Sequence, residues 1–196
     1  MGMVDEKNKV NFYDGKVRVI DTQGREFAVF ASSDYLSIIE EHVEEWTYMK
    51  LPYLKQRGWR GLIDGIDSSI YRVGPLARLN ASDGFATPLA QHEYERMYET
   101  LGGKPVHSTL AFHWARLIEL LYAAERTLEL SRDEEITGKE IRNMPGTPGE
   151  GVGIVEAARG TLIHHYKLND EGIAEKVNLI VATTSNSPAI SMSIRD

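Results

Sequence analysis

Charged and imidazole side chains crowd into one stretch of this chain, from Glu156 to Tyr166. Arg159 follows Glu156 by three residues, and Gly160 comes directly after the arginine. An arginine stays charged at every useful pH and presents rigid donors, so Arg159 is suited to stabilise developing negative charge or to polarise a small bound molecule. Taken alone, the pattern favours a structural arginine that pairs with Glu156 or another carboxylate.

Two adjacent histidines, His164 and His165, follow on the same predicted strand. Neighbouring residues of a strand point to opposite faces, so the pair is poorly placed to chelate one metal ion. We expect one imidazole to face the core and the other to face solvent. A satisfied structural histidine is the favoured role for His164.

Other catalytic patterns are weak or missing. The chain has 0 cysteines, which excludes disulfides, iron–sulfur clusters and zinc–thiolate sites built from these residues. Gly151-Val152-Gly153 lacks the third glycine of a dinucleotide fingerprint, and there is no Gly-Lys-Ser/Thr phosphate loop. Histidines and aspartates for a hydrolase triad are present, but nothing in their spacing selects them.

The composition is that of a globular chain with an acidic balance. Its 196 residues are enough to bury a core in one or at most two domains. The formal net charge of -7 argues against nucleic acid as a partner, since such binding needs a cationic surface. No apolar run reaches the roughly 20 residues that cross a bilayer, so no membrane partner is expected.

The predicted elements run from strands to helices and back to strands, which is typical of an α+β fold. The prediction is a helix-rich architecture, with one long central helix and small antiparallel sheets or hairpins near both ends. Residues 1–10 are polar and are expected to be disordered or derived from an expression tag. Asp14-Gly15 predicts a hairpin turn between Phe12-Tyr13 and the strand at 17–20.

Helical spacing predicts three helices, over about 32–46, from Thr87-Pro88 to Gly102-Gly103, and over about 108–131. The third is the long central helix. Its predicted buried stripe has spacings of three and four residues: Leu110, Trp114, Leu117, Leu121, Ala124 and Leu128. Further strands are predicted near 153–156, 161–168 and 174–182, and a last helix near Ser187-Pro188.

Four segments, taken in order, resemble the large subunits of nickel–iron hydrogenases. Arg72–Arg78 reads R-V-G-P-L-A-R, and 106–121 is similar to the long central helix of that family. The stretch from Glu156 to His164 is similar to E-x-P-R-G-x-L-x-H, with Ala158 in place of the proline. Residues 177–186 resemble V-N-x-x-x-A-T-T-x-N, with Ser185 where relatives carry a histidine or an aromatic residue.

The resemblance implies a role for each matching residue. Arg159 would be the catalytic residue, suspended over a bimetallic centre. Glu156, His164 and Asn186 would support it from the outer shell. The motif scaffold would consist of Arg72, Gly74, Pro75, Arg78 and Gly160. The resemblance assigns no metal ligand to this chain, because the family's four cysteine thiolates lie in C-x-x-C pairs near the two ends of the large subunit, and neither pair is here.

The resemblance further implies that residues 11–196 are the central domain of a hydrogenase large subunit, truncated at both ends. The intact parent would carry a nickel–iron centre with cyanide and carbonyl ligands and would interconvert dihydrogen with protons and electrons. Its partners would be electron-transfer subunits together with the hydrogenase small subunit. General likeness points to the cytoplasmic, multi-subunit branch of F420-non-reducing and NAD-reducing enzymes. The fragment alone is expected to hold no cofactor, to have no turnover and to self-associate through exposed apolar patches.

Two other interpretations remain open from the residues. One is a cysteine-free scaffold or protein-interaction module derived from the hydrogenase fold. Its docking surface would be the loop at 47–87, which carries Tyr48, Tyr53, Trp59 and Tyr71. The other is a small-molecule-binding domain unrelated to hydrogenases, which would lack a long helix against a small sheet.

Overall fold

The fold is described for residues 1–195 by a computed structural model, and it is of the α+β class, as predicted. The eight strands are β1 Gly2–Val4, β2 Lys16–Ile20, β3 Glu26–Phe30, β4 Ile39–His42, β5 Leu51–Leu54, β6 Glu150–Ala157, β7 Gly160–Leu168 and β8 Ala174–Ile180. The five α-helices are α1 Tyr35–Ile38, α2 Pro75–Ala81, α3 Pro88–Thr100, α4 Ala111–Leu130 and α5 Ala182–Arg195. The strands form three antiparallel sheets, in the orders β1-β2-β3, β4-β5 and β6-β7-β8.

The prediction that residues 1–10 are disordered is wrong. β1 pairs with the edge of β2, so that Gly2 lies opposite Arg18, and strand pairing satisfies its backbone groups. Met1, Met3, Val4 and Val10 are buried, because this short segment supplies apolar side chains to both halves of the core. β1 therefore takes the place beside β2 that the Asp14-Gly15 turn predicted for Phe12-Tyr13.

The predicted helix over 32–46 is also wrong. A single helical turn, α1, ends at Ile38, and the chain continues as β4, in which Glu40 pairs with Tyr53 of β5. The helical spacing of Leu36, Ile39, Val43 and Trp46 suggested the helix, but of these Leu36, Val43 and Trp46 are exposed. Strand pairing buries Ile39 and completes the backbone hydrogen bonds of this segment, and it therefore outweighs the helical spacing.

The helices α3 and α4 occur where the sequence predicts them, within a few residues at each end. The buried face of α4 is different from the prediction. Ala111, Ala115 and Ile118 are buried, whereas Leu117 remains 63% exposed. The small alanines let α2 and α3 approach α4 closely, which leaves most of the predicted leucine stripe on the opposite side. Near the end of the chain, α5 begins at Ala182, five residues before the predicted start.

Two apolar clusters make up the core. One lies between the first and third sheets and includes Val17, Val19, Ile154 and Ile163. The other lies among α2, α3 and α4 and includes Leu79, Met97 and Ile118. The fold thus has a sheet side and a helix side.

Arg78 of α2 joins these two sides. Its Nε and Nη2 atoms donate to the two carboxylate oxygens of Glu119 on α4, at 2.6 and 2.9 Å. Its Nη1 donates to Glu156 Oε2 of β6 at 2.6 Å. The side chains of Arg78 and Glu156 are 0% exposed. We call these three residues the buried ion cluster.

The remaining acceptors of the buried ion cluster are also used. Glu156 Oε1 accepts from the Met3 backbone N–H and from Thr161 Oγ1, both at 2.8 Å. Burial by itself disfavours a charged guanidinium, but the hydrogen bonds and charges of Glu119 and Glu156 outweigh it and raise the pKa of Arg78 above its usual value. Arg78 therefore stays charged, and the cluster ties β1, α2, α4 and β6 together.

Replacement of Arg78 by methionine should strongly destabilise the chain, because it leaves two buried carboxylates without their cation. Loss of one partner from a buried ion pair costs about 3–5 kcal/mol. Chemical denaturation measures this change in the free energy of unfolding. The triple variant R78M/E119Q/E156Q should recover part of the loss, since no charge then remains buried.

Arg96→Met is the matched control for this experiment. Arg96 pairs with Glu93 on the exposed surface of α3, where such pairs contribute less than about 1 kcal/mol. If R78M and R96M unfold at the same denaturant concentration, the buried ion cluster does not hold the fold together.

Candidate functional site

The candidate site is built at the tip of the hairpin that joins β6 to β7. Ala157 pairs with Gly160, so Ala158 and Arg159 form a two-residue connection and Arg159 lies at the tip. Gly160 has φ +130°, a conformation that favours glycine. A Cβ at this position would overlap Val73 Cγ2 and come within 2.8 Å of Gly74 N. The glycine therefore allows the tip to lie directly against the loop before α2.

That loop carries the R-V-G-P motif. Gly74 has φ +116°, and a Cβ there would lie 3.4 Å from the backbone oxygen of Arg159. Pro75 is buried at the first position of α2, where a proline is compatible with the start of a helix. Arg72 is exposed, and its backbone oxygen accepts from the Met1 amino group at 3.0 Å. The scaffold residues Gly74, Pro75 and Gly160 thus meet at the tip, whereas the Arg72 side chain does not join them.

Asn186 of α5 fixes the loop from its other side. Its Oδ1 accepts from the Val73 backbone N–H at 3.0 Å, and its Nδ2 donates to Val73 O at 3.2 Å. The neighbouring Ser185 lies 3.2 Å, Oγ to Oη, from the buried Tyr71 hydroxyl. Serine at this position therefore keeps a hydrogen-bond partner. The motif segments around Val73, Arg159 and Asn186 come together here, and the segment at 106–121 reaches the same tip through Arg116, which donates to Ala158 O.

The outer-shell residues occupy different environments. Glu156 is buried in the ion cluster with Arg78, so it does not pair with Arg159. Arg159 is exposed, and within residues 1–195 its side chain has no hydrogen bond or ion pair. The structural alternative, in which Arg159 pairs with Glu156 or another carboxylate, is not seen within the described residues.

The two histidines face opposite sides of the third sheet, as predicted. His164 is half-buried, with Nδ1 3.4 Å from Tyr166 Oη. His165 is the core-facing histidine. Its Nδ1 lies 2.8 Å from Tyr35 Oη, and its Nε2 lies 2.7 Å from Glu150 Oε1.

Two residues that matter here were not predicted from the sequence: Glu119 and Arg116. Glu119 lies four residues after the buried Ala115, on the same face of α4, and is buried with it. Arg116 donates from Nη1 to the backbone oxygen of Ala158 at 2.9 Å. No sequence pattern indicated that contact, because it joins two segments 42 residues apart.

The donor set in these residues does not fit a thiolate-bound metal centre. The chain has no cysteine, and residues 1–195 contain no group of three or more histidine, aspartate or glutamate side chains that could hold a metal ion. Ligands for such a centre would have to come from other polypeptide. In the same residues, no helix combines the length and apolar character needed to span a bilayer.

Comparisons with known proteins agree on one family. The family model described as nickel-dependent hydrogenase matches residues 3–192. The chain is 52% identical over 196 residues to an iron-sulfur subunit of the F420-non-reducing hydrogenase of Archaeoglobus profundus, and the match covers 100% of this chain and 40% of that protein. It is 40% identical over 198 residues to the beta subunit of the NAD-reducing hydrogenase HoxS of Cupriavidus necator, covering 100% of this chain and 39% of the relative.

Solved structures show the same fold. A crystal structure of an NAD+-reducing [NiFe]-hydrogenase in the H2-reduced state matches with a TM-score of 0.86 and 39% identity, over 98% of this chain and 41% of that one. The Ni-Fe-Se hydrogenase of D. vulgaris Hildenborough shares the fold at a TM-score of 0.61 and 20% identity, over 94% of this chain and 42% of that one.

The chain spans about two-fifths of the length of the relatives that it matches. The match extends over nearly all of its residues, which excludes a domain unrelated to hydrogenases. With the motif segments gathered around Arg159, these matches lead to one conclusion: the chain belongs to the nickel-dependent hydrogenase family.

Proposed function

We propose that the chain is the central part of a nickel–iron hydrogenase large subunit, whose intact form splits dihydrogen reversibly into a proton and a hydride. The observation that carries the proposal is the meeting of the four motif segments at the β6–β7 tip. The packing of the core does not require Arg159, an arginine with no ion pair in the described residues, at that tip. The backbone that carries this cation is held by the turn at Gly160, by the buried ion cluster and by the hydrogen bonds of Asn186. Such a cation is suited to act on a group supplied from outside these residues.

In this proposal Arg159 presents its guanidinium to the metal-bound site and stabilises negative charge there. Glu156 supports it through the strand that leads to the tip, and Asn186 through the loop at Val73. His164 supports the opposite face of the third sheet, near Tyr166. These roles differ in kind, because only Arg159 would touch the reacting groups.

The nickel–iron centre would be held by cysteine thiolates on other segments of the intact large subunit. Soft thiolates suit such metals in a way that carboxylates do not. When bound, the centre supplies the Lewis acidity and redox chemistry for dihydrogen cleavage. We therefore expect no turnover and no bound nickel–iron centre in the 196 residues alone.

We further propose that the intact protein works in the cytoplasm with electron-transfer subunits and the hydrogenase small subunit. The support is the similarity to subunits of F420-non-reducing and NAD-reducing hydrogenases. Electrons would pass to the acceptor through those partners. No residue described here selects among acceptors.

The scaffold alternative receives less support. Of its four aromatic residues, Tyr53 and Tyr71 are buried. Trp59 is half-buried and stacks on His42 at 4.4 Å between ring centroids. Only Tyr48 is fully exposed among the four, so they do not form one aromatic docking surface.

In the intact large subunit, purified with its partner subunits, Arg159→Ala should lower the rate of dihydrogen oxidation by about 100-fold, because it removes a preorganised charge from the reacting site. Arg159→Lys should retain more activity, since it keeps the positive charge but loses the paired N–H donors of the guanidinium. Arg96→Ala on α3 serves as the control and should leave the rate unchanged. Nickel content, measured by metal analysis, should be equal in all variants. A fully active, nickel-loaded R159A enzyme would refute the proposal.

The isolated chain should self-associate through the exposed face of α4. Leu117 is 63% exposed and Leu120 is 64% exposed, and Leu110 and Leu128 add further apolar surface. A second copy would bury these leucines face to face. Light scattering at rising concentration should show a growing mass, and the double variant Leu117→Glu/Leu120→Glu should remain monomeric. A monomeric parent chain at high concentration contradicts this expectation.

A further inference from the structure

Two arginines from different helices hold successive carbonyl groups of the hairpin tip. Arg78 of α2 donates from Nη1 to the backbone oxygen of Ala157 at 2.8 Å. Arg116 of α4 donates from Nη1 to the backbone oxygen of Ala158 at 2.9 Å. The two contacts grip both peptide units that lead into Arg159.

The second contact acts directly on the orientation of Arg159. The Ala158 C=O and the Arg159 N–H belong to one planar peptide unit. A donor that fixes the carbonyl therefore also fixes the direction in which the Arg159 backbone leaves that plane. This plane turns about ψ of Ala158 and φ of Arg159, and the pairing of Ala157 with Gly160 fixes the ends of the connection but not this peptide unit itself. The Arg116 donor therefore adds a direct restraint on it.

The two arginines are not equivalent. Arg78 is committed to two carboxylates in the buried ion cluster. Arg116 is exposed and forms no ion pair with a carboxylate in the described part of the chain, so its contact with Ala158 is its one direct hydrogen bond there. Arg78 therefore stabilises the fold, and Arg116 is available for another role.

We propose that Arg116 is a positioning residue, which aims the Arg159 guanidinium by holding the Ala158–Arg159 peptide plane. The catalytic part of this inference rests on the proposed function. The structural part does not, because the clamp is a property of these 196 residues alone.

Hydrogen exchange of backbone amides in the chain itself tests the clamp. Arg116→Met keeps the aliphatic stem and removes the donors, so the Gly160 amide, which lies opposite Ala157 in the strand ladder, should exchange about threefold to tenfold faster. The midpoint of unfolding should stay the same. Arg116→Lys keeps a charged donor group at the end of a long side chain and should restore slow exchange. Arg126→Met, on the same helix with a surface partner in Glu129, is the control and should leave the tip unchanged.

Activity of the intact enzyme tests the consequence. R116M should lower kcat by about the same threefold to tenfold, with unchanged KM and nickel content, and R116K should recover most of the rate. Unchanged exchange at the Gly160 amide in R116M overturns the clamp, and a large fall in the unfolding midpoint shows a role in stability only. If the unaltered intact enzyme binds no nickel and oxidises no dihydrogen, the proposed function fails, while the exchange result still decides the clamp.

Discussion

The structure depends on the ion pairs between Arg78 and its two carboxylates, Glu119 and Glu156. A buried guanidinium is tolerable only when its charge and its donors are all engaged. Here the partners come from a helix on one side and a strand on the other, so the two halves of the core share a single charged centre. Because both carboxylates need the same cation, neither half can shift without leaving a charge unpaired. Apolar contacts alone would allow such sliding.

Sequence reasoning succeeded where local signals agreed with the tertiary contacts. Pro88 begins α3 and the glycine pair follows its end, in the sequence-based prediction and in the structure alike. It failed where burial was decided by distant segments. The 32–46 stretch has helical spacing, but the pairing of β4 with β5 outweighs that preference.

The candidate site shows the same division between local and distant signals. Gly160 and Arg159 were found because their motif is contiguous and their turn is local. The partners of the site were not found, since Arg116 and Glu119 reach it from a helix far earlier in the chain. Periodicity also placed the buried stripe of α4 on the leucines. Close packing against α2 and α3 selected small residues such as Ala115 instead.

The turn of α4 from Ala115 to Glu119 determines how the helices, the buried ion cluster and the hairpin tip are arranged. Ala115 sets the distance to the neighbouring helices, Glu119 neutralises Arg78, and Arg116 holds the carbonyl before Arg159. Positions 116 and 119 are three apart, so both side chains leave the same side of the helix. The register of this turn against β6 therefore sets the buried ion cluster and the hairpin tip together. A displacement that disturbed one would disturb the other, which couples the stability of the core to the aim of the exposed arginine.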